Sequence, residues 1–178
     1  MRHTNKHERF KLETKGDVMD QAISTVVPLF RATDTLFHDA LAGIERADLL
    51  RRPHDNSNPM IWVAGHAMTS RASLTRIAGE RIENPWSDMF ARGATVDDDL
   101  NYPEVSEIIS LWDNVTEKLM SRLAELTDEE LSKPSPFPIP TGDKTKRGAI
   151  IFLNYHETYH IGQMAYLRKW LGYSQLVG

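Results

Sequence analysis

Two histidines four residues apart, in the string His156-Glu157-Thr158-Tyr159-His160, are the residues best spaced for chemistry in this sequence. On an α-helix that spacing puts both imidazoles on one face, one turn apart, where both can reach a single metal ion. Both also fall on an apolar stripe with Ala149, Leu153, Met164, Leu167 and Leu171. A buried neutral imidazole needs one donor and one acceptor partner. A metal satisfies the pair together, whereas a structural role requires separate carbonyl and hydroxyl partners for each ring. His66 is a third candidate, sharing a helical face with Trp62, Thr69, Ser73 and Ile77. Set against the pair in an antiparallel bundle, it would complete three neutral ligands for one divalent cation, with positions left open for water or substrate. The plainer alternative for His66 is a boundary histidine on a half-exposed face.

The string His-Glu-x-x-His also matches the zincin metallopeptidases, in which the glutamate is the general base. The surroundings argue against that reading. The extended zincin pattern wants glycine three residues after the second histidine and another histidine three further on, but Gln163 and Tyr166 stand there. No alternating strand is present to bind an extended peptide. Glu157, Gln163 and Asp34 are secondary candidates for catalytic work. Glu157 is rotated about a quarter turn off the histidine face, which suits a solvated or salt-bridged carboxylate. Gln163 lies three residues after His160, where it could fix a ligand tautomer or contact substrate. Asp34 interrupts an apolar stripe, and a buried carboxylate there would need a partner; His38, four residues on, can supply one. Trp62, Trp86 and Phe90 are candidates for an aromatic substrate pocket. Tyr155, Tyr159 and Tyr166 are assigned to packing, Trp112 to the core, and His3, His7 and His54 to no role.

Four amphipathic segments must position these residues. The first repeats Val27, Phe30, Phe37, Leu41 and Ile44, with Asp17 or Ser24 as its cap. The second opens at Asn58-Pro59 and runs to about Ala78, before Gly79. The third follows Tyr102-Pro103 with Val105, Ile108, Trp112, Val115, Leu119, Leu123 and Leu126 in register. The fourth runs from about Arg147 to Leu171 and stops at Gly172. Proline-rich connectors separate them, and the long 84–100 segment, carrying Trp86, Met89 and Phe90, has the length of a lid. The block Met60 to His66 aligns without gaps on Ile150 to His156, with Ser70 standing where His160 does, so the second and fourth helices read as pseudo-equivalent. The expected architecture is an all-α four-helix bundle.

Composition narrows the chemistry. The 178 residues suffice for one core without cross-links, and residues 1–16 read as a polar tail ahead of a single 17–178 domain. Twenty-one Lys and Arg against twenty-five Asp and Glu, with no basic stripe, argue against a nucleic-acid partner. No apolar run of eighteen residues and no signal-peptide pattern appear, so the expectation is a cytoplasmic protein without a membrane partner. There are seven histidines and no cysteine. Thiolate metal sites, redox pairs and a cysteine nucleophile are therefore excluded, and histidine must carry any soft-metal chemistry.

The combination Asn-Pro-x-x-Trp-x-x-Gly-His at 58–66, Trp-x-x-x-Phe-Ala-Arg-Gly at 86–93, and His-Glu-x-x-His-x-Gly-Gln with Tyr-Leu-Arg at 156–168 resembles the DinB/YfiT-like superfamily of metalloenzymes. The resemblance implies an up-down-down-up four-helix bundle, whose one long crossover would be the 84–100 segment. It implies a zinc or nickel ion held by His66, His156 and His160. It further implies a small-molecule substrate and either thiol-dependent group transfer, with the metal activating a low-molecular-weight thiol cosubstrate, or hydrolysis by metal-activated water. Relatives commonly pair, so a homodimer is expected. The alternative function is a non-catalytic, stress-related bundle that a metal merely stabilises.

Overall fold

The computed structural model describes residues 19–94, 96 and 101–177. The expected tail at 1–16, and positions 95 and 97–100 of the long connector, lie outside the described residues. Among the described residues every regular element is helical: α1 (Gln21–Leu41), α2 (Arg46–Leu49), α3 (Met60–Ile77), α4 (Val105–Glu125), α5 (Asp128–Ser132) and α6 (Lys146–Trp170). A single isolated bridge pairs Pro134 with Thr145 ahead of α6.

The helix starts show how local chemistry sets boundaries. Asp17 lies outside the described residues and Ser24 lies inside α1; Asp20 is the cap, its Oδ1 accepting from the amides of Ala22 at 3.0 Å and Ile23 at 3.1 Å. The helix then runs through Pro28. Ile23, Val26 and Val27 before it and Phe30 and Phe37 after it are all buried. Together they outweigh the ~3 kcal/mol that an interior proline costs. Pro59 rather than Asn58 is the cap of α3. Glu104 and Glu107 form a reciprocal capping box at the start of α4. The φ of +91° at Gly172 ends α6, as a residue without Cβ readily can.

Two apolar clusters fix the directions of the four long helices. One contains the end of α1 (Phe37, Leu41), the start of α3 (Met60, Ile61), the start of α4 (Ile108, Trp112) and the end of α6 (Met164, Leu167). The other contains the start of α1, the ends of α3 and α4, and the start of α6. Hence α1 and α6 run one way and α3 and α4 the other. The parallel pair α3 and α4 requires a connector that returns along the bundle, and 78–104 is that connector. α6 packs on both α3 and α1, and α4 packs on both as well.

Between the clusters lies a polar layer that no apolar pattern announces. Arg71 of α3, 1% exposed, reaches across the interior to α1, α4 and α6. Its Nε donates to Glu157 Oε2 at 2.8 Å, and its Nη2 donates to Glu157 Oε1, to Thr33 Oγ1 at 3.1 Å and to the Phe30 carbonyl at 3.2 Å. Nη1 donates to Thr116 Oγ1 at 2.6 Å and to Asp34 Oδ1 at 3.3 Å. The guanidinium lies 3.7 Å from the Trp112 ring centroid, and the Trp112 indole N–H donates to Asp34 at 2.7 Å. Arginine's five donors are thereby met inside the core, which a lone buried charge requires.

Candidate metal centre

Toward the α3 start, one turn and more from this layer, His66, His156 and His160 converge. Each offers a ring nitrogen, and the three nitrogens lie within 4.8 Å of one another. The His156 and His160 Nε2 atoms are 3.2 Å apart. Three nitrogens arranged tetrahedrally about zinc at its usual bond length stand about 3.3 Å apart. The arrangement comes from two sources: helix geometry alone sets His156 one turn from His160, and the packing of α3 on α6 brings His66 to them.

The rings are held by their outer nitrogens. The Phe90 carbonyl accepts from His66 Nδ1 at 2.7 Å, and Gln163 Oε1 accepts from His160 Nδ1 at 2.7 Å. With the proton on Nδ1, each presents an Nε2 lone pair to the cluster. The Trp62 ring stacks on His66, centroids 4.9 Å apart and planes within 6°. Burial pushes the His66 pKa below its usual value, opposed by the Phe90 carbonyl. Burial also lowers that of His156, followed by repulsion from His66 and Arg92. His160 is pushed down to about 4, first by burial and then by its two neighbours. All three imidazoles are therefore neutral at pH 7, the form a cation binds.

The residues fit a divalent cation. Neutral Nε2 atoms facing each other across 3.2 Å repel when both carry lone pairs, and a cation between them converts that repulsion into ligation. Among the described residues His156 Nδ1 is buried without a hydrogen-bond partner, so the ring's polar capacity is unmet by them. Three histidines leave a four-coordinate ion one open position.

Among the secondary candidates, Gln163 orients His160 and also lines a cleft of about 690 Å³ beside it. Pro53, Asn56 and Asn58 form the other wall, with Tyr159, Gly162 and Tyr166 on the α6 side. His54, assigned no role from sequence, also lines this cleft. Glu157, 1% exposed, is bound to Arg71 and Thr33, so its carboxylate braces the bundle and is committed away from the imidazoles. Asp34 belongs to the same layer, and His38 pairs with Asp113 at 2.9 Å rather than with Asp34.

The aromatic trio divides. Trp62 touches the site. Trp86 lines a separate hollow against α4 with Glu107 and Leu111. Phe90 is wholly buried, its ring against Gly65, and it serves the site through its backbone carbonyl instead of offering its ring to a substrate. Tyr155, Tyr159 and Tyr166 are not packing residues: they are 69%, 56% and 64% exposed. Their helical spacing revealed a shared face, but that face is turned outward.

Sequence reasoning missed Arg71 and the Phe90 carbonyl. A charged residue amid the apolar run of α3 was the one available signal for the first. A backbone carbonyl leaves no signal in residue type. The family model described as the DinB superfamily matches residues 29–164, well over half of the chain. No curated protein matches it.

Proposed function

The chain belongs to the DinB superfamily, and on that premise we propose that it is a metal-dependent enzyme that carries out thiol-dependent group transfer or hydrolysis on a small molecule. One observation carries this reading: three neutral imidazoles converge, and Gln163, which holds one of them, also lines a cleft of about 690 Å³. A zinc or nickel ion bound there would act as a Lewis acid, holding a thiol or water as its anion near neutral pH. The protein's own contribution is orientation. The Phe90 carbonyl and Gln163 hold His66 and His160 with their Nε2 atoms inward, and Trp62 fixes the plane of the His66 ring. Buried walls around the imidazoles keep them unprotonated. Because the sequence has no cysteine, a sulfur nucleophile must enter as a cosubstrate through the cleft. With Glu157 locked to Arg71, the glutamate of the His-Glu-x-x-His string is not free to act as the base of a zincin peptidase, and chemistry on a small molecule is favoured over peptide cleavage.

Metal analysis of protein purified without an affinity tag tests the reading. About one equivalent of zinc or nickel, lost on His160→Ala, is the expected result. Less than a tenth of an equivalent, with no uptake on reconstitution, overturns it. A chelator-controlled screen of thiol-transfer and hydrolytic substrates then separates the two reaction classes. Metal binding with no activity in either would leave the metal in a purely structural role.

A further inference from the structure

The Trp86 to Gly93 string gives the metal centre its Phe90 carbonyl, and it also carries an arginine. Arg92 stands two residues after Phe90, whose carbonyl accepts from His66 Nδ1 at 2.7 Å. Two residues of extended chain span at most about 7 Å, a distance the long arginine side chain can cover back toward the imidazoles. Arg92 is exposed, and among the described residues no hydrogen bond or ion pair holds it. The two buried arginines differ in this respect. Arg71 is filled by Glu157, Thr116 and Asp34, and Arg168 by the carbonyls of Ala42 at 2.7 Å and Ser174 at 3.0 Å.

Of the three imidazoles, His66 and His160 are buried and His156 is half-buried, so the cluster is most open on the His156 side. The Arg92 charge is felt at His156 and not at the two buried rings, which places the guanidinium on that open side. A guanidinium near a divalent cation weakens metal binding by like-charge repulsion, and an anion between the two turns repulsion into attraction. The cleft on the Gln163 side offers no such charge. Its lining holds no Asp, Glu, Lys or Arg, and its polar groups are His54 with amides and hydroxyls such as Asn56, Asn58, Gln163 and Tyr159. Discrimination between charged and neutral ligands therefore falls to Arg92.

Resting on the metal reading above, we propose that Arg92 is a specificity residue of the same site, pairing with a carboxylate on the molecule that takes the metal's open position. The planar guanidinium fork matches a carboxylate in two parallel hydrogen bonds, which a lysine in its place would not reproduce. The ligand is then a small carboxylate-bearing molecule, and for thiol transfer a carboxylate-bearing thiol. An unpaired exposed cation also draws such an anion toward the metal from a distance, an attraction that salt screens.

The full chain loaded with cobalt(II), which accepts the same imidazole ligands, tests this through its thiolate-to-metal absorption. Two thiols are titrated, 3-mercaptopropionate and its uncharged amide, 3-mercaptopropionamide. Comparing the ratio of their dissociation constants between variants cancels the intrinsic difference between the thiols. The preference for the carboxylate should be about fivefold greater in wild type than in Arg92→Gln, the worth of one exposed charge pair. Arg92→Lys should keep part of it, and about 1 M salt should remove most of it, since the Debye length there is about 3 Å. Arg92→Glu should invert the preference and bind the cationic thiol cysteamine more tightly than wild type does. These changes fall on an exposed side chain, so the unfolding temperature should stay within a degree or two of wild type. A ratio that agrees within about twofold across wild type, Arg92→Gln and Arg92→Glu overturns the assignment of Arg92. Cobalt uptake with no response to either thiol overturns it too and leaves the metal site standing. Failure to take up cobalt overturns the metal reading and the role of Arg92 with it.

Discussion

Glu157→Gln separates a bracing carboxylate from a reacting one. The side chains of Arg71 and Glu157 are 0% and 2% exposed, and the glutamate receives donors from Arg71 and Thr33. Glutamine has nearly the same shape but lacks the charge, and its amide turns donors toward a guanidinium that needs acceptors. Arg71 would keep Asp34, whose nearest oxygen is 3.3 Å away and which is shared with Trp112 and Thr116. Removing one partner of a buried ion pair costs about 3–5 kcal/mol. That is a large share of the roughly 5–15 kcal/mol that holds a domain folded. At about 2–4 °C per kcal/mol for a chain of this length, Tm should fall by about 6–20 °C. Thermal and urea unfolding of metal-free protein, followed by circular dichroism, measures it. Arg71→Met combined with Glu157→Met should cost less than the two single changes added together, because the charges leave as a pair. A Glu157→Gln protein within about 0.5 kcal/mol of wild type would refute the reasoning. If it also lost all turnover, the glutamate would be a reacting group after all.

Three other outcomes follow from the geometry of the site. Gly65→Ala would put a methyl group 2.4 Å from the buried Phe90 ring. Overpacking of about 1–3 kcal/mol should outweigh the ~1 kcal/mol gained in helix propensity. Metal affinity should fall with stability as the Phe90 carbonyl is displaced, and Phe90→Leu should rescue both; a more stable Gly65→Ala protein would contradict the packing. Gln163→Leu removes the acceptor on His160 and should weaken metal binding about 10–100-fold by competition titration, whereas Gln163→Glu should retain it. The metal-free protein should lose stability as pH falls from 6.5 toward 4, because the folded His160 has its pKa lowered to about 4 and the unfolded chain takes up the proton first. Above 6.5 this contribution is fully present. Tm of wild type against His160→Gln across that window checks it, and equal slopes would count against a buried neutral imidazole.

The sequence by itself determined what is local. Periodicity located the four long helices, because burying one face of a 3.6-residue repeat leaves its mark on residue order. The four-residue spacing of His156 and His160 fixed their shared face for the same reason. Helix ends were read less well: Asp20 caps α1 and Ser24 lies inside it, since several nearby polar side chains can serve and the packed helix selects among them. Only the tertiary structure decided what depends on distant segments meeting. His66 joins the pair through the packing of α3 on α6. The Phe90 carbonyl finds His66 across 24 residues, through a backbone atom that every residue possesses. Glu157 and Arg71, 86 positions apart, become one buried ion pair that no pattern within either helix encodes. The tyrosines of α6 mark the same boundary: spacing shows that residues share a stripe, but which stripe is covered is set by where the neighbouring helices lie.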